Sequence, residues 1–111
     1  MKHYTTIEQS KKLLKLGLSP ESADMCWCLA VKGEPEVVVN QGYNEYGDFE
    51  IPCWSLGALL MVMPDILFTK EEGSKYGFGH SDSGYITESE IQIDAAYDMV
   101  VYLLENGYLN G

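Results

Sequence analysis

Arginine is missing from this 111-residue chain; its whole basic complement is seven lysines. The planar fork that grips carboxylate, phosphate or guanine in two-point fashion is therefore absent. Against the lysines stand 17 acids, for a formal net charge of −10. Such a balance excludes binding to nucleic acid by neutralising phosphates, so no direct nucleic-acid contact is expected. Cysteine is sparse and odd in number, at three, which implies no closed disulfide framework. The longest apolar run, Trp54 to Met63, is closed by Pro64. At about ten residues it is too short to cross roughly 30 Å of hydrocarbon, so no membrane is expected. The opening Met1–Lys2–His3–Tyr4–Thr5–Thr6 lacks a secretory pattern. A soluble, cytoplasmic protein is the expectation.

Hydrophobic residues make up 46% of the chain, enough for a core, and the length suits one domain over 1–111. Charge is uneven: residues 1–32 sum to +2 and residues 33–111 to −12. Solubility explains an acidic surface, and so does attraction to a basic partner. A second reading of the acidic stretch is a DNA mimic, which needs carboxylates spaced like phosphates.

Thr5 with Glu8 three residues on predicts a capping box opening a helix over about 6–16, with Gly17 as its C-terminal stop. Ser19–Pro20–Glu21 starts a short helical turn. Residues 25–31, aromatic and β-compatible, predict a strand, broken by Lys32–Gly33–Glu34–Pro35, and 36–39 predict another. Residues 40–50 form a long surface loop. Pro52 precedes a second helix over about 53–63, its start open to adjustment by Ser55. That helix has no polar face and must be buried or show an apolar patch. Residues 66–69, 75–80 and 84–88 are strands, the last two joined by the turn Ser81–Asp82–Ser83–Gly84. The final helix, 92–106, carries a wide apolar surface with Asp94, Asp98 and Glu105 as its wet line, and Asn106–Gly107 stops it. Both apolar helices are expected on one sheet. The predicted class is α+β, with a small antiparallel sheet of about four strands packed against about three helices.

Tyr4 to Leu14, Leu18 to Met25, Ile51–Pro52–Cys53–Trp54–Ser55–Leu56–Gly57–Ala58–Leu59–Leu60, Asp94 to Val100 and Leu103 to Gly107 together resemble a family of short proteins from phages, prophages and mobile elements of anaerobic gut bacteria. The similarity covers most of the chain outside roughly 28–50 and 70–91. It implies an intracellular mobile-element product and supplies no mechanism. The chain departs from the pattern with Tyr102 where a Trp is expected, a swap between two large amphipathic aromatics.

Chemistry-bearing residues are few. Cys26 and Cys28 share a strand face, but with only Cys53, His80 and His3 besides there is no second close pair, and no metal site is expected. Gly73–Ser74–Lys75 and Gly77–Phe78–Gly79 are glycine-rich, but neither is a complete phosphate loop and both lie on strand-like sequence, so no cofactor is expected. His80–Ser81–Asp82–Ser83 holds the residue types of a hydrolase triad at a spacing that turn chemistry explains better. A small enzyme would have to use Cys53 with His80, a thiol and a base. The balance favours binding over catalysis. Tyr43, Tyr46 and Phe49 lie among acids in the long loop, and Trp54 opens the apolar helix. These four are the candidate partner-binding residues, with a protein partner or a homodimer as the expected occupant.

Overall fold

The fold begins with two threonines dividing a task that the sequence assigns to one. A computed structural model describes residues 3–28, 34–39, 50–63, 66–70, 76–81 and 83–109. In it, helix α1 is Ile7–Lys15, capped by Thr6 and not by Thr5. Gln9 N–H donates to Thr6 Oγ1 at 3.1 Å and Gln9 Oε1 accepts from Thr6 N–H at 2.9 Å. Glutamine serves as the reciprocal partner as well as glutamate does, which moves the box one residue on from the expected Thr5/Glu8 pair. Thr5 is freed for the interior. Gly17, at φ +99°, ends the helix in the left-handed conformation that a side chain resists.

A single 3₁₀ turn, Pro20–Ser22, leads into β1 (Met25–Cys28). β1 lies between β2 (Glu36–Val39) and β3 (Glu50–Cys53), antiparallel to both. β3 corrects the expectation that a helix starts at Cys53. Pro52 sits on an edge strand, where a missing N–H is tolerated. Ser55 Oγ then accepts from Ala58 N–H at 3.2 Å and caps α2, Leu56–Val62. Asp24 holds that cap, accepting from Ser55 N–H at 3.0 Å and from its hydroxyl.

The second sheet is a meander: β4 (Ile66–Lys70), β5 (Tyr76–His80) and β6 (Ile86–Ser89), in order and antiparallel. His80 N–H donates to the Tyr85 carbonyl at 2.9 Å, and Gly84, at φ +72°, closes the turn by donating to the His80 carbonyl at 2.8 Å. Helix α3, Gln92–Glu105, follows at once. The chain is thus α+β, and among the described residues six strands are divided between two three-stranded sheets, where the sequence predicts about four in one.

α3 is the central element. It lies against β5 and β6, while α2 packs on α3. Of the two helices expected on one sheet, α3 is the one that rests there. Ile93, Ala95, Ala96, Met99, Val100 and Leu103 are buried from it, meeting Phe78 of β5, Leu59 of α2 and Leu13 of α1 in one core. Thr87 Oγ1 donates to the Ala95 carbonyl at 2.8 Å, tying β6 to α3. Gln9 Nε2 donates to Asp94 Oδ1 at 3.0 Å, tying α1 to it. Among the described residues no helix is long and apolar enough to cross a membrane.

Candidate functional site

The thiols and imidazole come first, because catalysis would need them together. Cys53 ends β3 and is wholly buried. Its Sγ lies 3.7 Å from Thr5 Oγ1 and donates to the Thr5 carbonyl at 3.4 Å. Burial, with a smaller contribution from Asp24, pushes its pKa up to about 11 against the opposing hydrogen bonds from Thr5. It is a protonated thiol at neutral pH and a poor nucleophile. His80 stands at the end of β5, in the other sheet. Its Nδ1 bonds Ser83 Oγ at 2.8 Å and accepts from Ser83 N–H at 3.3 Å, while Tyr108 meets the ring edge-on at 4.8 Å between centroids. These are contacts of a buried turn histidine, and no hydrogen bond joins it to Cys53. Asp82, the third residue type of the triad-like turn, lies outside the described residues.

Cys26 and Cys28 share a face of β1, as their spacing predicts, with sulfurs 3.7 Å apart. Cys26 Sγ lies 3.8 Å from Glu50 Oε2. Burial, then the neighbouring Cys28 and Glu50, push the Cys26 pKa up to about 12, so it too stays protonated. Among the described residues no group of three or more His, Cys, Asp or Glu is arranged to hold a metal ion.

The four sequence-based contact residues fare differently. Tyr43, Tyr46 and Phe49 lie outside the described residues. Trp54 is 0% exposed, a correction to its placing as a contact residue. Its indole N–H donates to Ser22 Oγ at 2.9 Å, and its backbone pairs with Thr5 in both directions. An apolar run with no polar face puts its largest ring in the core when a cap bond at Ser55 starts the helix after it.

The surface concavity is elsewhere. A groove of ≈ 400 Å³ runs between β6 and the outer face of α3. β6 is the last strand of its sheet. The His80–Tyr85 hydrogen bond and the pairing of Phe78 with Thr87 set the alternation along it. Tyr85 and Thr87 turn their backbone groups toward β5; Ile86 and Glu88 turn theirs outward, with no strand beyond among the described residues. Ile86 is 62% exposed. On the α3 side lie Tyr97, Asp98, Val101, Tyr102 and Glu105, a stripe at helical spacing. Burial first, and then the Asp98 and Glu105 carboxylates, raise the Tyr97 pKa.

Two further hollows are lined by described residues. One of ≈ 220 Å³, at the start of α3, is lined by His3, Leu56, Tyr76 and Glu90 among others. The other is a wide depression beside α2, where Leu60 is 40% and Met61 87% exposed. Neither is bounded by an unpaired strand.

Sequence reasoning missed Tyr85, Ile86 and Tyr102 as surface features. The signal available was the placing of Tyr97, Val101 and Tyr102 beside Asp98 and Glu105 on α3, where the wet-line reading singled out the acids alone. No family model, no curated protein and no solved structure matches this chain.

Proposed function

We propose that the protein is a non-enzymatic binding protein whose contact surface is the groove between β6 and α3. The supporting observation is the outward-facing backbone of Ile86 and Glu88 beside an aromatic and acidic helix stripe. Unpaired strand edges are templates for another chain, and proteins usually blunt or cover them. Tyrosine-rich surface is also typical of protein contacts. The separation of Cys53 from His80, each engaged in its own sheet, weighs against the enzyme reading. An accessory role in a phage or mobile element is the context that the resemblance proposes.

Selection of displayed random peptides on the immobilised protein tests this. Peptides should enrich on the native chain and not on a Tyr97→Ala/Glu105→Lys variant of equal melting temperature. Equal enrichment on both, or none on either, overturns the reading.

Self-association is the second reading, and the exposed Met61 on α2 is what favours it. Two copies at −10 repel, so a dimer on this face should tighten with salt. Sedimentation at low and high salt checks it, and Met61→Lys should abolish it. A monomer in both salts overturns it.

A further inference from the structure

We infer that the groove receives a basic, extended segment of a partner protein, which adds to β6 as a fourth strand and lies over the outer stripe of α3. The inference rests on the binding reading above and deepens it by naming the occupant.

Three observations carry it. First, the vacancy has the form of a strand. Residues 86 and 88 present N–H and C=O outward in the two-residue repeat of a ladder, and an added strand would sit about 4.8 Å away. Second, α3 forms the other wall of the groove. It packs against β5 and β6, and beside β6 it presents the half-buried Tyr97 and the exposed Asp98 and Glu105 over a buried Val101. A fourth strand would lie over these side chains. Main-chain bonds would give affinity, and alternate side chains would meet the stripe and the solvent face.

Third, the charge selects a basic occupant. Glu88 on the strand and Asp98 and Glu105 on the helix border the groove, with Lys12 the one cation there among the described residues. A second copy is disfavoured by the same charges. Pairing β6 with β6 across a two-fold axis would bring two such carboxylate sets together in chains that each carry −10.

The experiment uses the full chain and a fluorescent eight-residue peptide of alternating Lys and Val. Two further peptides accompany it: its Glu–Val counterpart, and a Lys–Val version N-methylated at every second residue. The variants are Ile86→Pro, which removes an outward N–H and none of the sheet's own, and Ile86→Ala as the side-chain control. The Lys–Val peptide should bind, more weakly as salt rises. N-methylation in the paired register and Ile86→Pro should each weaken it at least tenfold, and Ile86→Ala no more than about threefold. If Ile86→Pro fails to fold, as circular dichroism would show, the N-methylated peptide decides alone.

Binding that N-methylation leaves unchanged overturns strand addition while leaving the groove as a contact surface. Equal affinity for the Glu–Val peptide overturns the basic occupant. Self-association lost in Ile86→Pro makes the occupant a second copy and overturns the inference. Failure of both peptides to bind overturns it too, and the displayed-peptide selection then judges the binding reading separately.

Discussion

Tyr85, at the mouth of β6, stacks on Tyr102 of α3 with ring centroids 3.8 Å apart and planes 6° from parallel. Tyr102 in turn faces Tyr108 at 6.2 Å, and Tyr108 meets His80. The hairpin end, the helix and the chain after it are thereby joined through four rings at one end of the groove. Aromatic pairs contribute about 0.5–1.5 kcal/mol beyond the area they bury. A double-mutant cycle of Tyr85→Ala and Tyr102→Ala, read by denaturant unfolding, should give a coupling in that range. Additive single effects would show that the two rings are stacked without being energetically linked.

The interior should respond most to α2. Leu59 is wholly buried and belongs to the same core as α3 and Phe78. Leu59→Ala removes buried methyl groups and leaves a space that neighbours fill only in part, so it should cost about 2–5 kcal/mol in unfolding free energy. Met61→Ala, one turn face away and 87% exposed, should fall within about 0.5 kcal/mol. A reversal of this order would mean that α2 presents its other face to α3.

Thr5 gathers the α1, β1 and β3 ends. Its hydroxyl accepts from Trp54 N–H at 3.1 Å and bonds Ser10 Oγ at 2.8 Å; its carbonyl accepts from the Trp27 indole at 2.9 Å. Thr5→Val keeps the shape and removes the hydroxyl, leaving a buried N–H and a buried serine short of a partner. The expected loss is about 1–3 kcal/mol, with Thr5→Ser well below it. Equal losses for valine and serine would assign the effect to packing of the methyl group.

Much of this was legible in the chain. The turn residues Ser81, Ser83 and Gly84, the stop at Asn106–Gly107 and the apolar breadth of α3 depend on neighbours in sequence, and these residues take the expected states. Two adjustments were also local: Thr6 displaced Thr5 as the cap because Gln9 can close the box, and Ser55 displaced Cys53 as the start of α2. The candidate site was another matter. That β6 ends its sheet depends on strand order, which no local pattern encodes. Nor does the spacing of Tyr97, Asp98 and Glu105 say which side of α3 borders a groove. Trp54 shows the converse: a large ring in an apolar run looks like a contact residue until its indole finds Ser22.

The buried thiols make alkaline pH a probe of the fold. Burial holds Cys53 near 11 and Cys26 near 12, above the ordinary value of 9.0. Below pH 9 the thiols are protonated whether the chain is folded or not, and their contribution does not change. Above pH 9 the unfolded chain releases these protons and the folded chain keeps them, so unfolding is favoured progressively. The loss should run from about pH 9 toward the folded values, after which both states are ionised and it levels off. Tyrosines titrate in the same range, so the informative measurement is a difference. Urea unfolding of the native chain and of Cys53→Ala, at pH 8 and pH 10.5, should show a smaller alkaline loss for the variant, even though the variant starts less stable. At pH 8, iodoacetamide should label the half-buried Cys28 well before Cys53, whose sulfur is shielded as well as protonated. Parallel alkaline losses in the two proteins, together with equal labelling rates, would mean that Cys53 titrates in the folded state as it does in the unfolded chain.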